Sequence, residues 1–85
     1  MVVVLRDSGM RVVIYLDDHE PPHVHVYYGG GTAKIELGVE GEPMKIVDAE
    51  DMKMGDLRKA KRIVAAHRDE LMKKWNEFHG RHNPG

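Results

Sequence analysis

Cysteine is absent from this chain, which rules out disulfide staples, thiolate zinc sites and a thiol nucleophile. Serine occurs once, as Ser8, in an apparent turn without the strand–turn–helix setting of a nucleophile elbow, so serine hydrolase chemistry is excluded too. The longest apolar runs, Met1 to Leu5 and Val12 to Leu16, are strand-sized and far short of a bilayer span. Met1 to Leu5 also lacks the basic start, long apolar core and cleavage site of a secretory signal, so the expected location is cytoplasmic, with no membrane partner. A strong charge of one sign is missing as well, since the net charge is −1. That balance hides an asymmetry: residues 1–52 carry four Lys/Arg against ten Asp/Glu, and residues 53–85 carry nine against four. The two halves can attract one another, which weakens the case for nucleic acid relative to a uniformly basic chain.

With 85 residues there is room for a single domain, residues 1–85, and one modest core, without a deep enclosed cavity. Val2 to Leu5 and Arg11 to Leu16 read as strands around the turn signal Arg6-Asp7-Ser8-Gly9, with Val12, Ile14 and Leu16 on one face and Val13 and Tyr15 on the other. Pro21 and Pro22 make Asp17 to Pro22 a stiff, extended loop. His23 to Tyr28 resumes strand alternation, Gly29-Gly30-Gly31 supplies a hairpin turn, and Thr32 to Leu37 returns. Burying Val24 and Val26 with Ala33, Ile35 and Leu37 costs no charge, so this set should face the core and turn His23, His25 and Tyr27 outward.

Met44 to Val47 reads as a short further strand and Asp48 to Asp51 as an acidic linker or helix entry. From Met54 the apolar positions Leu57, Ala60, Val64, His67, Leu71, Trp75 and Phe78 recur every three or four residues, predicting one long amphipathic helix. Gly80 and Pro84 should end it, leaving 79–85 as a frayed tail. The fold class is therefore α+β: a small antiparallel sheet of three to four strands with one long C-terminal helix on one face.

The candidate chemistry is concentrated in Asp17 to Tyr28, which holds three of the six histidines. His23 and His25 project from the same side of a strand and can reach one metal ion, with His19, Asp17 or Asp18 as a further ligand. Imidazole with carboxylate suits several divalent transition metals. The same residues also suit half-exposed polar positions on an outer sheet face, a hydrogen bond closing the loop, or general acid/base work, because His-x-His alone is a weak pattern. His67 interrupts the helical stripe and reads as a core histidine with a satisfied partner. The basic helix residues Arg58, Lys59, Lys61, Arg62, Arg68, Lys73 and Lys74 offer phosphate contacts without interleaved aromatics. Free strand edges invite another small protein or self-association.

The string Asp18-His19-Glu20-Pro21-Pro22-His23-Val24-His25-Val26, followed by a glycine-rich hairpin and a helix bearing His67-Arg68-Asp69-Glu70-Leu71 and Trp75, resembles the bacterial domain-of-unknown-function family 4160 over nearly the whole chain. The resemblance implies a stand-alone α+β domain of bacterial or phage origin, and points to toxin–antitoxin-like modules beside another small protein. It implies no established activity or cofactor. Two readings result. The first is a protein-interaction module, with Tyr27 and Arg68 as interaction residues. The second is a metal-dependent hydrolase or nuclease using Asp18, His19, His23 and His25.

Overall fold

The computed structural model describes residues 1–39 and 41–80. Five strands, β1 (Val2–Asp7), β2 (Met10–Ile14), β3 (His23–Tyr28), β4 (Gly31–Glu36) and β5 (Lys45–Glu50), precede two helices, α1 (Met54–Ala66) and α2 (Arg68–Phe78). The strands form one antiparallel sheet in the order β1-β2-β3-β4-β5. Each strand thus pairs with its neighbour in sequence, as in a meander. The β1–β2 and β3–β4 turns are two residues long, with φ of 52° and 81° at Ser8 and Gly9 and of 57° and 83° at Gly29 and Gly30. Positive φ at both central positions is the turn geometry that matches the twist of paired strands.

The class and the parity of the central strands are as expected. Val12, Ile14, Val24, Val26, Ala33, Ile35 and Leu37 form one buried cluster with Ala60, Ile63, Val64, Leu71 and Trp75 of the helices. The strand count is higher than three to four. Asp48 to Glu50 is not a linker but the second half of β5, where Asp48 faces Lys34 and Ala49 faces Ala33. A bulge between Lys34 and Ile35 of that ladder absorbs one extra residue, so the apolar alternation read from sequence breaks off early. Leu16, expected to share the Val12 and Ile14 face, is 57% exposed because β2 ends at Ile14.

The helix is broken as well. At His67 the backbone turns to φ −117°, ψ 19°, and its N–H bonds back to Val64 O at 3.1 Å. Next to the break, Arg68 donates from Nε to Leu37 O at 2.6 Å and from Nη2 to Gly38 O at 2.8 Å. A straight run from Met54 to Phe78 would be about 37 Å long, against about 20 Å for a six-residue strand. Beyond the break, α2 still buries Leu71 and Trp75 in the cluster shared with the central strands. His67 is not a core histidine: its side chain is 32% exposed and lies 3.3 Å from Glu70 Oε1 and 3.9 Å from Asp7 Oδ2. The expected frayed tail falls, from residue 81 onward, outside the described residues. His79 caps α2, stacked on Trp75 at 3.7 Å between ring centroids. No helix among the described residues is long and apolar enough to cross a membrane.

Candidate metal centre

The centre is built where β2 gives way to β3. After Ile14 the chain makes a tight turn in which Asp18 N–H donates to Tyr15 O at 3.1 Å and Tyr15 N–H donates to Asp18 Oδ2 at 3.4 Å. This reciprocal arrangement suits aspartate, whose short carboxylate can accept from a backbone a few residues away. The following segment passes through a cis Glu20-Pro21 bond to Pro22, which is fully buried. Pro22 O accepts the N–H of Leu37 at 3.0 Å, tying the loop to the end of β4. Strand pairing then fixes His25 between Val13 on β2 and Lys34 on β4.

Asp18 Oδ2 lies 3.1 Å from His23 Nε2 and 3.2 Å from His25 Nε2. Ligand atoms of these three residues all lie within 4.8 Å of one another. Donors about 2.0–2.1 Å from one tetrahedral zinc are separated from each other by about 3.3 Å. The two carboxylate–imidazole distances are close to that edge length. The tautomer of His23 also fits. Its Nδ1 sits 2.9 Å from Pro21 O, and a carbonyl only accepts, so Nδ1 carries the proton and Nε2 presents its lone pair toward Asp18. A histidine ligand held through its other nitrogen in this way is the usual supporting shell of a metal site.

Each Nε2 faces an acceptor-only carboxylate, so metal-free hydrogen bonding to it requires a proton on both. For His25, burial is the main cause that depresses its pKa below the usual 6.5; Asp18 opposes this, while His23 and Lys34 add to it. The centre opens toward solvent on one side, with side chains of Asp18 and His25 19% and 23% exposed and that of His23 4%.

An aromatic wall backs the three residues. The His23 ring is 5.1 Å from His25 and 5.0 Å from Trp75, and His25 meets Tyr15 edge-on at 4.8 Å. Trp75 Nε1–H donates to Glu20 Oε2 at 3.4 Å. The Tyr15 hydroxyl is hydrogen-bonded to that of Tyr27, and this bond, followed by desolvation, pushes the Tyr15 pKa up to about 12.

Of the ligands expected from sequence, Asp18, His23 and His25 converge, whereas His19 is exposed and outside the cluster. The expectation that both imidazoles look out to water holds only for His25. His23 opens its strand beside Pro22 and is 3% exposed, packed on Trp75. Of the two interaction candidates, Tyr27 lies on the outer face with the Arg11 guanidinium 5.3 Å from its ring centroid. Arg68 is directed at the backbone of its own chain. The supporting roles of Tyr15, Glu20 and the Pro21 carbonyl had no signal in residue spacing beyond their closeness to the histidines.

Residues 9–76 match the family model described as Domain of unknown function (DUF4160). The chain belongs to the DUF4160 family. No curated protein and no solved structure matches this DUF4160 chain. The matched span includes Asp18, His23 and His25 together with Trp75, so the whole centre and its aromatic backing lie within the family domain.

Proposed function

We propose that this DUF4160 domain is a metal-dependent hydrolase of the cytoplasm, holding one divalent transition metal through Asp18 Oδ2, His23 Nε2 and His25 Nε2. The observation that carries the reading is the 3.1 and 3.2 Å approach of both imidazoles to a single carboxylate oxygen. Two imidazoles and one carboxylate leave coordination positions open, the pattern of catalytic rather than structural sites. Bound there, the metal would supply an activated water at neutral pH. The chain's own part is to fix the ligands: Pro21 O holds the His23 tautomer, and Trp75 holds its ring. The test is metal analysis of untagged protein, with about one equivalent expected and none in His23→Ala or Asp18→Ala. Metal at background in the folded parent protein refutes the reading.

A second reading rests on a different observation. Among the described residues the linear strand order leaves β1 and β5 as the edges of the sheet, and β1 opens with the apolar run Val2 to Leu5. Such an edge suits strand addition by a small partner protein, as in a toxin–antitoxin-like pair. Sedimentation of the purified protein, alone and with that partner, separates this reading from the first.

A further inference from the structure

The outer face of the sheet carries cations that its own fold does not neutralise. The register sets Arg6 directly opposite Arg11, and Arg11 opposite Tyr27. Their neighbours Asp7 and Met10 pair with each other, and Met10 is in the core, so alternation turns both arginines to the open face. Like charges directly opposed across strands are destabilising, and among the described residues neither arginine has an ion pair. One row along the strands, His25 lies between Val13 and Lys34. The arginine row is thus roughly 7 Å, two strand residues, from the metal centre's own row. At the β4–β5 side of this face lie two further carboxylates, Asp48 facing Lys34 and Glu50 facing Thr32, whereas the carboxylate of the near half, Asp18, is the one assigned to the metal.

The two hairpin turns flank an open recess of about 310 Å³ lined by Gly9, Arg11, Tyr27, Tyr28 and Gly30 among others, at the small end of ligand sites. Half-buried Tyr15 and Tyr27 add ring surface between this recess and His25. The basic helix face is the weaker candidate for the same chemistry. Lys59 donates to Ser8 O at 3.3 Å and sits 5.3 Å from the Tyr28 ring centroid, Lys74 pairs with Glu77 at 3.8 Å, and Arg68 is committed to backbone.

We propose that the β1–β3 half of the outer face binds single-stranded nucleic acid, Arg6 and Arg11 taking one phosphate and the strand carrying another to Asp18, His23 and His25. The inference rests on the metal reading for the second phosphate and names the substrate class of that site. An extended polyanion fits because the arginine pair and the centre are separated along the strands, which a lone phosphate does not bridge. Aromatic rings next to a basic track are the usual means of holding unpaired bases without sequence preference.

The test is fluorescence anisotropy with a labelled twelve-nucleotide oligo(dT) and its RNA counterpart, together with metal content of each protein. The parent protein should bind both. Arg6→Ala/Arg11→Ala should weaken binding at least tenfold and reduce the salt slope by about 0.7 for the one lost phosphate contact, with metal content unchanged. Arg6→Lys/Arg11→Lys, which keeps both charges, should restore most of the affinity and guards against a folding artefact. Arg58→Ala/Lys61→Ala/Arg62→Ala should change binding by less than threefold. Absence of binding, preference for duplex of the same length, or loss confined to the helix variant overturns the inference. Arginine-dependent binding by protein that takes up no metal sinks the metal reading and leaves the sheet-face site standing.

Discussion

Replacing Arg68 by alanine removes two donors from the seam between the helices and the sheet. Its Nε and Nη2 reach Leu37 O at 2.6 Å and Gly38 O at 2.8 Å, carbonyls at the end of β4 that have left the ladder. Hydrogen bonds from a charged donor contribute roughly 1.5–3 kcal/mol each. The side chain is only part-buried, which sets both at the low end, so the expected loss is about 3 kcal/mol. A chain of this length has about 4–13 kcal/mol in total, and the unfolding midpoint should fall by about 12–24 °C. Urea unfolding followed by Trp75 fluorescence and by far-ultraviolet dichroism gives the free energy, with an unchanged slope expected. Arg68→Lys keeps the charge and loses the planar fork, so it should recover less than half of the loss. An alanine variant within about 0.5 kcal/mol of the parent, the range of ordinary surface substitutions, refutes the seam argument. So does a lysine variant equal to the parent.

Other outcomes are equally specific. Trp75→Ala should cost roughly 3–5 kcal/mol and lower metal uptake, because His23 loses the ring that positions it; preserved uptake in the folded variant counts against the aromatic wall. A methyl group at Gly31 would lie 2.2 Å from Asp51 O, so Gly31→Ala should detach β5 from β4, seen as fast amide exchange at Thr32 and Glu50. On the alkaline side, Tyr15 is pushed up to about 12 from 10.0, so its contribution to stability is complete below pH 10 and is lost as pH rises from there through 12. Tyr27→Phe should bring the Tyr15 titration back toward 10, read by alkaline difference absorbance. On the acid side, the depressed pKa of His25 makes its contribution full above pH 6.5 and lost as pH falls through its folded value, so proton competition for metal at His25 should set in at lower pH than for a free imidazole.

The sequence is most readable where hydrophobic alternation and turn chemistry agree. Val24, Val26, Ala33, Ile35 and Leu37 announce both the hairpin and its buried face, and all five are buried. β5 was only half legible, because its second half, Asp48 to Glu50, is exposed and carries no apolar signal; what places it is pairing with β4. The helix break was invisible for the opposite reason. The stripe from Leu57 to Phe78 keeps its period through His67, and the interruption coincides with the Arg68 side chain meeting the end of β4, a contact between residues about thirty apart in the chain. In the centre, strand parity placed His25 correctly. The burial of His23 did not follow from parity, because the strand starts there, next to Pro22, where β2 no longer pairs and Trp75 packs on the ring. The choice of Asp18 over Asp17 and His19 depends on the Tyr15 to Asp18 turn, which spacing alone does not specify.

All three proposed ligands fall within eight consecutive residues, Asp18 to His25, so bringing them together requires closing only a very short loop. An unfolded chain therefore meets a dissolved cation with its donors already near one another, and chelation becomes an early event in maturation instead of a reward reserved for the finished fold. Some affinity for the denatured ensemble subtracts from the stabilisation that metal confers on the native one. Thermal shifts with added metal should accordingly fall short of the mass-action value calculated from the native dissociation constant, and a peptide spanning residues 15–28 should retain measurable metal affinity.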